Sequence, residues 1–194
     1  MSASPNGHLI VVSGPSGVGK SSILSRVIAA TNSRFSVSAT TRDPRPGEVE
    51  GRDYVFLSRD EFEERRDSGA VLEWAEYGGQ LYGTLREEVL PELEAGRNVI
   101  LDIENEGAKQ IKASFPDAIL FFIKPPSLDE LERRLRGRGD TTDADTERRL
   151  SVADEQMREA PLVYHHIVLN DDMESAISRF LDILSDLTTD RVSA

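Results

Sequence analysis

A chain of 194 residues with 38% hydrophobic and 30% charged side chains has room for one α/β domain with small inserted subdomains, not for two large independent domains. No apolar run approaches the roughly 18 residues that span a bilayer, and the lack of cysteine excludes disulfide scaffolds, thiolate metal sites and cysteine nucleophiles together. Thirty-five acids against 23 bases give a net charge of −12, which argues against a nucleic-acid polymer as partner because phosphate backbones demand a basic face. The expectation is a cytoplasmic protein with no membrane partner.

The first seven residues carry neither a charged nor an apolar signal segment and read as a short disordered tail. Residues 8–13 are a continuous apolar, β-branched run, as expected of a strand buried on both faces of a parallel sheet. A glycine-rich stretch ends it, and Ile23, Leu24, Val27 and Ile28 then repeat with helical spacing. From 36 to 84 the pattern changes to short alternating pieces at 54–57, 71–74 and 80–82 with Gly and Pro between them, which suggests a small mixed β insertion that serves as a binding module. Apolar strand runs recur at 98–103, 118–123 and 166–169, alternating with helical segments, so a mostly parallel sheet flanked by helices is expected. Ser58 with Glu61, Thr84 with Glu87 and Ser127 with Glu130 have the spacing of helix starts, and Gly96 that of a helix stop. Residues 136–143 set two glycines among charges between two helical segments, as a mobile lid would.

The sharpest motif is Gly14-Pro15-Ser16-Gly17-Val18-Gly19-Lys20-Ser21, a P-loop pattern placed between a predicted buried strand and a predicted helix. Its glycines let successive N–H groups turn inward onto phosphate oxygens at a helix N-terminus. Lys20 would then bridge the β- and γ-phosphates and Ser21 would ligate Mg²⁺. No Asn-Lys-x-Asp or Thr-Lys-x-Asp guanine motif follows, which weighs against a GTPase switch. Arg42, Arg45 and Tyr54 lie on a segment stiffened by Pro44 and Pro46, where two guanidinium forks and a phenol can grip a phosphate monoester. Asp102 ends an apolar strand, as a Walker-B-like acid would or as an ordinary strand-end acid. Charge is distributed to match: residues 1–47 hold five bases (Lys20, Arg26, Arg34, Arg42, Arg45) and one acid, Asp43, while the remainder is strongly acidic.

Together with Leu72-Glu73-Trp74-Ala75-Glu76-Tyr77, Leu81-Tyr82-Gly83-Thr84, Phe122-Ile123-Lys124-Pro125-Pro126-Ser127, Arg136-Gly137-Arg138-Gly139 and Val168-Leu169-Asn170-Asp171-Asp172, these motifs resemble guanylate kinase over essentially residues 8–185. The resemblance implies a three-layer α/β P-loop fold with a central parallel sheet. A core of 8–35, 89–125 and 158–190 would carry a mixed-β GMP-binding module at 36–88 and a helical lid at 126–157. It implies transfer of the γ-phosphoryl group of ATP to GMP, and to dGMP, with Mg²⁺, in a monomer or small homo-oligomer. Residues Gly14, Pro15, Ser16, Gly17, Val18, Gly19, Lys20, Ser21 and Ser22 would bind ATP, with Asn170 at its adenine. Arg42, Arg45, Tyr54 and Tyr82 would hold the GMP phosphate, and Glu73, Ser38 and Thr84 its base, with Asp102 near the acceptor. Ser21 and Asp102 would hold the metal, and Lys20, Arg42, Arg138 and Arg149 would act on the transferring group, with Arg134 and Arg148 as adjacent candidates.

Other readings of single residues stay open at this point. Glu73 also fits a solvent-facing strand residue beside Trp74, Thr84 a helix N-cap, Asn170 a turn residue, and each lid arginine an i to i+4 surface partner. The family usually continues Ile-Asp-x-Gln-Gly where this chain has Ile103-Glu104-Asn105-Glu106-Gly107, so Glu106 stands as a candidate repulsive neighbour of Asp102. Gln156 stands where glutamate is typical, and His165-His166 read as strand-edge residues. A second class of function, an inactive guanylate-kinase-like module that binds phosphorylated peptides, fits the same surface but usually goes with a degenerate P-loop.

Overall fold

The computed structural model describes residues 7–31, 33–137 and 142–189. The elements run β1 (Leu9–Ser13), α1 (Lys20–Ala30), β2 (Ser33–Phe35), β3 (Ala39–Thr40), β4 (Val55–Phe56), α2 (Arg59–Asp67), β5 (Val71–Tyr77), β6 (Gln80–Leu85), α3 (Arg86–Glu94), β7 (Asn98–Asp102), α4 (Asn105–Ser114), β8 (Ile119–Lys124), α5 (Leu128–Arg136), α6 (Asp143–Val163), β9 (His166–Leu169) and α7 (Met173–Thr189). Five strands form the expected central parallel sheet in the order β2-β7-β1-β8-β9, and four form a mixed sheet in the order β4-β3-β6-β5. The apolar runs have their physical reason here: β1 is buried along its whole length and β8 up to Lys124. The chain divides into two compact units, Met1–Ile10 with Arg34–Ala118, and Val11–Ser33 with Ile119–Ala194.

In the first unit, Ala39, Phe62, Leu81 and Leu85 form the core of the mixed sheet, with Val55, Leu57, Val71 and Trp74 at its margin. α2 starts with the expected capping box, Ser58 Oγ accepting the Glu61 N–H (3.2 Å) while the Glu61 carboxylate accepts the Ser58 N–H (2.8 Å). Gly96, at φ +76°, follows the end of α3 as the stop signal requires. The start of α3 corrects the sequence reading: its N-cap is Leu85, and Thr84 still belongs to β6. The Thr84 hydroxyl is turned across the sheet and donates to Glu73 Oε1 (2.7 Å), so it does not cap the helix. Of the expected tail, residues 1–6 lie outside the described residues, and the Gly7 N–H donates to Leu93 O at 2.8 Å.

In the second unit, Leu131, Leu135 and Ala153 lock α5 to α6, with Leu128 and Leu150 alongside, and Ser127 caps α5 as expected by accepting the Glu130 N–H (3.1 Å). Phe121 of β8 stacks on Phe180 of α7 with ring centroids 4.1 Å apart. His165 accepts the Leu120 N–H through Nδ1 (3.3 Å), and His166 lies against the Phe121 ring, where burial pushes its imidazole below the ordinary range. Both histidines are therefore strand-edge residues. Among the described residues no cluster of His, Asp and Glu is arranged to hold a metal by itself, and no helix is long and apolar enough to cross a membrane.

Candidate active site

Residues 14–19 turn between β1 and α1, and two close approaches explain two of their glycines. A Cβ on Gly14 would lie 2.5 Å from the Ile123 carbonyl oxygen of β8, so a side chain there would force the loop off the strand. Gly19, the N-cap of α1, has φ +97°, and its Cβ would lie 2.7 Å from Asn170 Nδ2. The first turn of α1 contains no acidic residue, and its first intrahelical bond is from the Ile23 N–H to Gly19 O. The N–H groups of Lys20, Ser21 and Ser22 thus form the positive end of the helix, an anion-binding geometry. Lys20 Nζ donates to Gly14 O (3.3 Å), which folds the ammonium back over the loop, and Ser21 and Ser22 are exposed.

The same loop is held from outside by three side chains. Asn170, 2% exposed, donates through Nδ2 to Val18 O (2.7 Å). Arg134 donates to Val18 O (3.3 Å) and Asn170 O (3.0 Å) while its Nε pairs with Glu130 (2.8 Å). Arg149 reaches Ser16 Oγ (3.2 Å) and pairs with Asp145 (2.7 Å). Arg134, only an adjacent candidate in the sequence, is thus the arginine that braces the loop backbone. Arg148 instead makes the i to i−3 pair with Asp145 expected of a helix surface, and Arg138 lies outside the described residues. Because Asn170 is buried and bonded, Asn170→Ala leaves the Val18 carbonyl short of its best donor. Thermal denaturation should register a loss of about 1–3 kcal/mol, and an unchanged melting temperature would refute this bracing role.

In the first unit, the Thr40-Thr41 pair staples the following arginine to β6. Thr40 Oγ1 donates to Leu81 O (3.0 Å) and accepts the Arg42 N–H (3.2 Å), and Thr41 Oγ1 donates to Gln80 Oε1 (2.8 Å) and accepts the Leu81 N–H (2.9 Å). Arg42 lies over the Tyr54 ring (5.3 Å), Tyr54 meets Tyr82 edge-on (6.2 Å), and Tyr82 helps to raise the Arg42 guanidinium. The sequence-predicted Arg42, Tyr54 and Tyr82 are therefore one cluster, and Arg45 is exposed next to it. Sequence reasoning missed Glu48, whose carboxylate takes the Arg42 fork on both oxygens (2.9 and 3.0 Å) and the Arg45 N–H (2.7 Å). The bond from Arg42 holds the Glu48 carboxyl below its usual range, and Glu48 in turn raises Arg42.

Beside this cluster Glu73 is 4% exposed, which settles against a solvent-facing strand residue. A register irregularity in β5 between Val71 and Glu73 turns two successive residues, Leu72 and Glu73, inward. Thr84 donates its hydroxyl to Glu73 Oε1 (2.7 Å), and burial nevertheless pushes the Glu73 carboxyl up to about 6. A buried carboxylate met by a hydroxyl on one oxygen keeps acceptor capacity for further donors. Ser38 is half-buried and its carbonyl accepts the Val55 N–H (2.9 Å); Asp102 is half-buried at the end of β7. Glu106, the candidate repulsive neighbour of Asp102, is exposed and pairs with Lys109 (2.6 Å).

The family model described as guanylate kinase matches residues 6–187. Among curated relatives, a guanylate kinase of Rubrobacter xylanophilus is 49% identical over 92% of this chain and 93% of its own length. One of Trichodesmium erythraeum is 48% identical over 92% of this chain and 96% of its own. A crystal structure of guanylate kinase from Anaplasma phagocytophilum superposes with a TM-score of 0.75 at 31% identity, covering 94% of this chain and 86% of that one.

Proposed function

The chain belongs to the guanylate kinase family, and from that premise we propose how its own residues carry the transfer of the γ-phosphoryl group of ATP to GMP, giving ADP and GDP. The chain is an ATP:GMP phosphotransferase, and no observation favours an inactive interaction module. The observation that carries the residue assignment is Glu73, a buried carboxylate met on one oxygen by the Thr84 hydroxyl. Guanine presents N1–H and N2–H₂ on one edge, and an ionised carboxylate accepts both; adenine lacks that donor pair and leaves the buried acceptor unmet. Ser38 and Thr84 supply hydroxyls beside it.

The acceptor phosphate of GMP is assigned to Arg42, Arg45, Tyr54 and Tyr82. Its attacking oxygen is already ionised at neutral pH, so no general base is needed, and catalysis rests on in-line positioning and charge neutralisation. Lys20 and the N–H groups at the start of α1 hold the donor phosphates. Gly14, Pro15, Ser16, Gly17, Val18, Gly19, Ser21 and Ser22 shape that cradle, and Asn170 serves it through the Val18 carbonyl. Arg149 and Arg138 are assigned to the transferring group. Ser21 and Asp102 offer hard oxygen donors, the type Mg²⁺ prefers, and an ion that keeps several waters and binds largely through substrate phosphates needs few protein ligands. Bound there, Mg²⁺ would neutralise charge on the β- and γ-phosphates. The chain then divides into a core of 8–35, 89–125 and 158–190, a GMP module of 36–88 and a lid of 126–157.

The test is a coupled ADP-release assay with ATP and each of GMP, dGMP, AMP, CMP and UMP. Turnover should appear with GMP and dGMP, vanish on chelation and return with added Mg²⁺. Equal turnover with AMP would remove the Glu73 assignment, and turnover that survives chelation would remove the metal.

A further inference from the structure

β5 is an edge strand of the mixed sheet, and its free side is met by α4 rather than by another strand. Gln110 of α4 does there what a neighbouring strand would do: its Oε1 accepts the Trp74 N–H (3.1 Å) and its Nε2 donates to the Trp74 carbonyl (2.7 Å). The residue so clamped directly follows Glu73 in the chain. One turn earlier on α4, Gly107 lies under the Glu73 carboxylate itself. A Cβ on Gly107 would come 2.2 Å from Glu73 Oε2 and 3.0 Å from Glu73 Cδ, far inside any real contact.

Gly107 is the third residue of α4, and the first intrahelical bond of that helix is from the Ala108 N–H to Glu104 O. The carboxylate therefore rests against the positive end of the helix, held by Thr84 on one oxygen and facing α4 with the other. Glycine here is not explained by backbone conformation, since Gly107 is absent from the positive-φ positions, and alanine is the better helix former. Space for the carboxylate explains it.

We propose that Gly107 and Gln110 are positioning residues for base selection: α4 acts as the template that fixes the Glu73 carboxylate in the place where it reads guanine, Gly107 by leaving room and Gln110 by pinning the adjoining backbone. The proposal rests on the assignment of Glu73 to the guanine edge. It makes α4, which contributes no side chain of its own to the base, a determinant of which base is accepted.

The experiment compares GMP with IMP, which lacks the 2-amino group, as acceptors for the wild type, Glu73→Gln, Gly107→Ala and Gln110→Leu. In Gly107→Ala the preference for GMP over IMP in kcat/KM should fall about tenfold or more, through a higher KM for GMP, with the KM for ATP held within about twofold. Gln110→Leu should shift the same parameters in the same direction by a smaller factor. Shortening the arm should relieve the clash, so Glu73→Asp added to Gly107→Ala should regain melting temperature that Gly107→Ala alone loses. If Gly107→Ala melts above wild type and keeps the GMP preference, helix propensity alone governs the position and the proposal is overturned. If Gly107→Ala does not fold, Gln110→Leu decides, and an unchanged preference there overturns it. A preference that collapses in Glu73→Gln but not in the α4 variants rejects this inference alone, while one that survives Glu73→Gln rejects the guanine assignment beneath it.

Discussion

Lys20→Ala should lower kcat/KM for phosphoryl transfer by about a thousandfold or more while leaving the protein folded. The ammonium is bent back over residues 14–19 by its bond to Gly14 O, so it lies where the donor phosphates would meet the first turn of α1. Charge on a phosphoryl group in flight is spread over its oxygens, and a fixed cation at that place stabilises it more than it stabilises bound ATP. Lys20 is only half-buried and belongs to no apolar cluster, so its loss opens no cavity. Steady-state turnover and a melting curve on the same preparation check both halves of the statement. Turnover within tenfold of wild type would end the assignment of Lys20 to the phosphates. Lys20→Arg should also fail, because a planar fork on a longer arm does not replace a compact point charge inside a tight loop.

Glu73→Gln should relax the choice of base and at the same time change how stability responds to pH. An amide turns one acceptor into a donor that faces a guanine donor, so discrimination against other bases should fall by about 1–3 kcal/mol, or roughly five- to 150-fold in kcat/KM. Burial raises the carboxyl from 4.5 to about 6, so the fold favours the neutral acid more than the unfolded chain does. Stability contributed by that preference is fully present below about pH 4.5, is lost as pH rises through about 6, and amounts to about 2 kcal/mol. The variant does not titrate there. Its melting temperature relative to wild type should therefore climb between about pH 4.5 and 7 and level off above. KM for GMP in the wild type should fall over the same interval, because the ionised form accepts both guanine donors. A pH-independent difference in melting temperature would show that Glu73 keeps an ordinary carboxyl in the empty protein.

The sequence revealed most where a pattern is local. A buried run, a glycine-rich turn and a helical repeat occupy consecutive residues, and β1, the turn at 14–19 and α1 fall where they were expected. The capping pairs at Ser58 and Ser127 are read correctly for the same reason. Thr84 has the identical spacing and fails as a cap, because its hydroxyl was claimed by a residue eleven positions away on the adjacent strand. Such competition is settled by strand register, which no local window contains. Burial of Glu73 was equally illegible, since the β5 irregularity that turns it inward has no composition of its own. Glu48, Gln110 and Arg134 act through bonds to residues distant in the chain or across a turn, and only Gly107 left a trace: a glycine in the first turn of a helix, where nothing in the helix itself requires one.

On the proposed assignment of the acceptor phosphate to Arg42 and Arg45, the pairing of Arg42 with Glu48 bears on what these residues present to solvent before any nucleotide arrives. Two guanidinium groups close together would repel one another and attract whatever small anion the cell holds in greatest abundance. With Glu48 on the Arg42 fork, one of those two charges is already countered, and the carboxylate, held below its usual range, keeps that pairing throughout the neutral pH range. A free phosphate or sulfate must compete with this internal counter-anion and has no base to anchor it. On the same assignment GMP would bring the guanine edge as a second handle, so that occupancy would be decided by the combination of two modest grips rather than by charge alone.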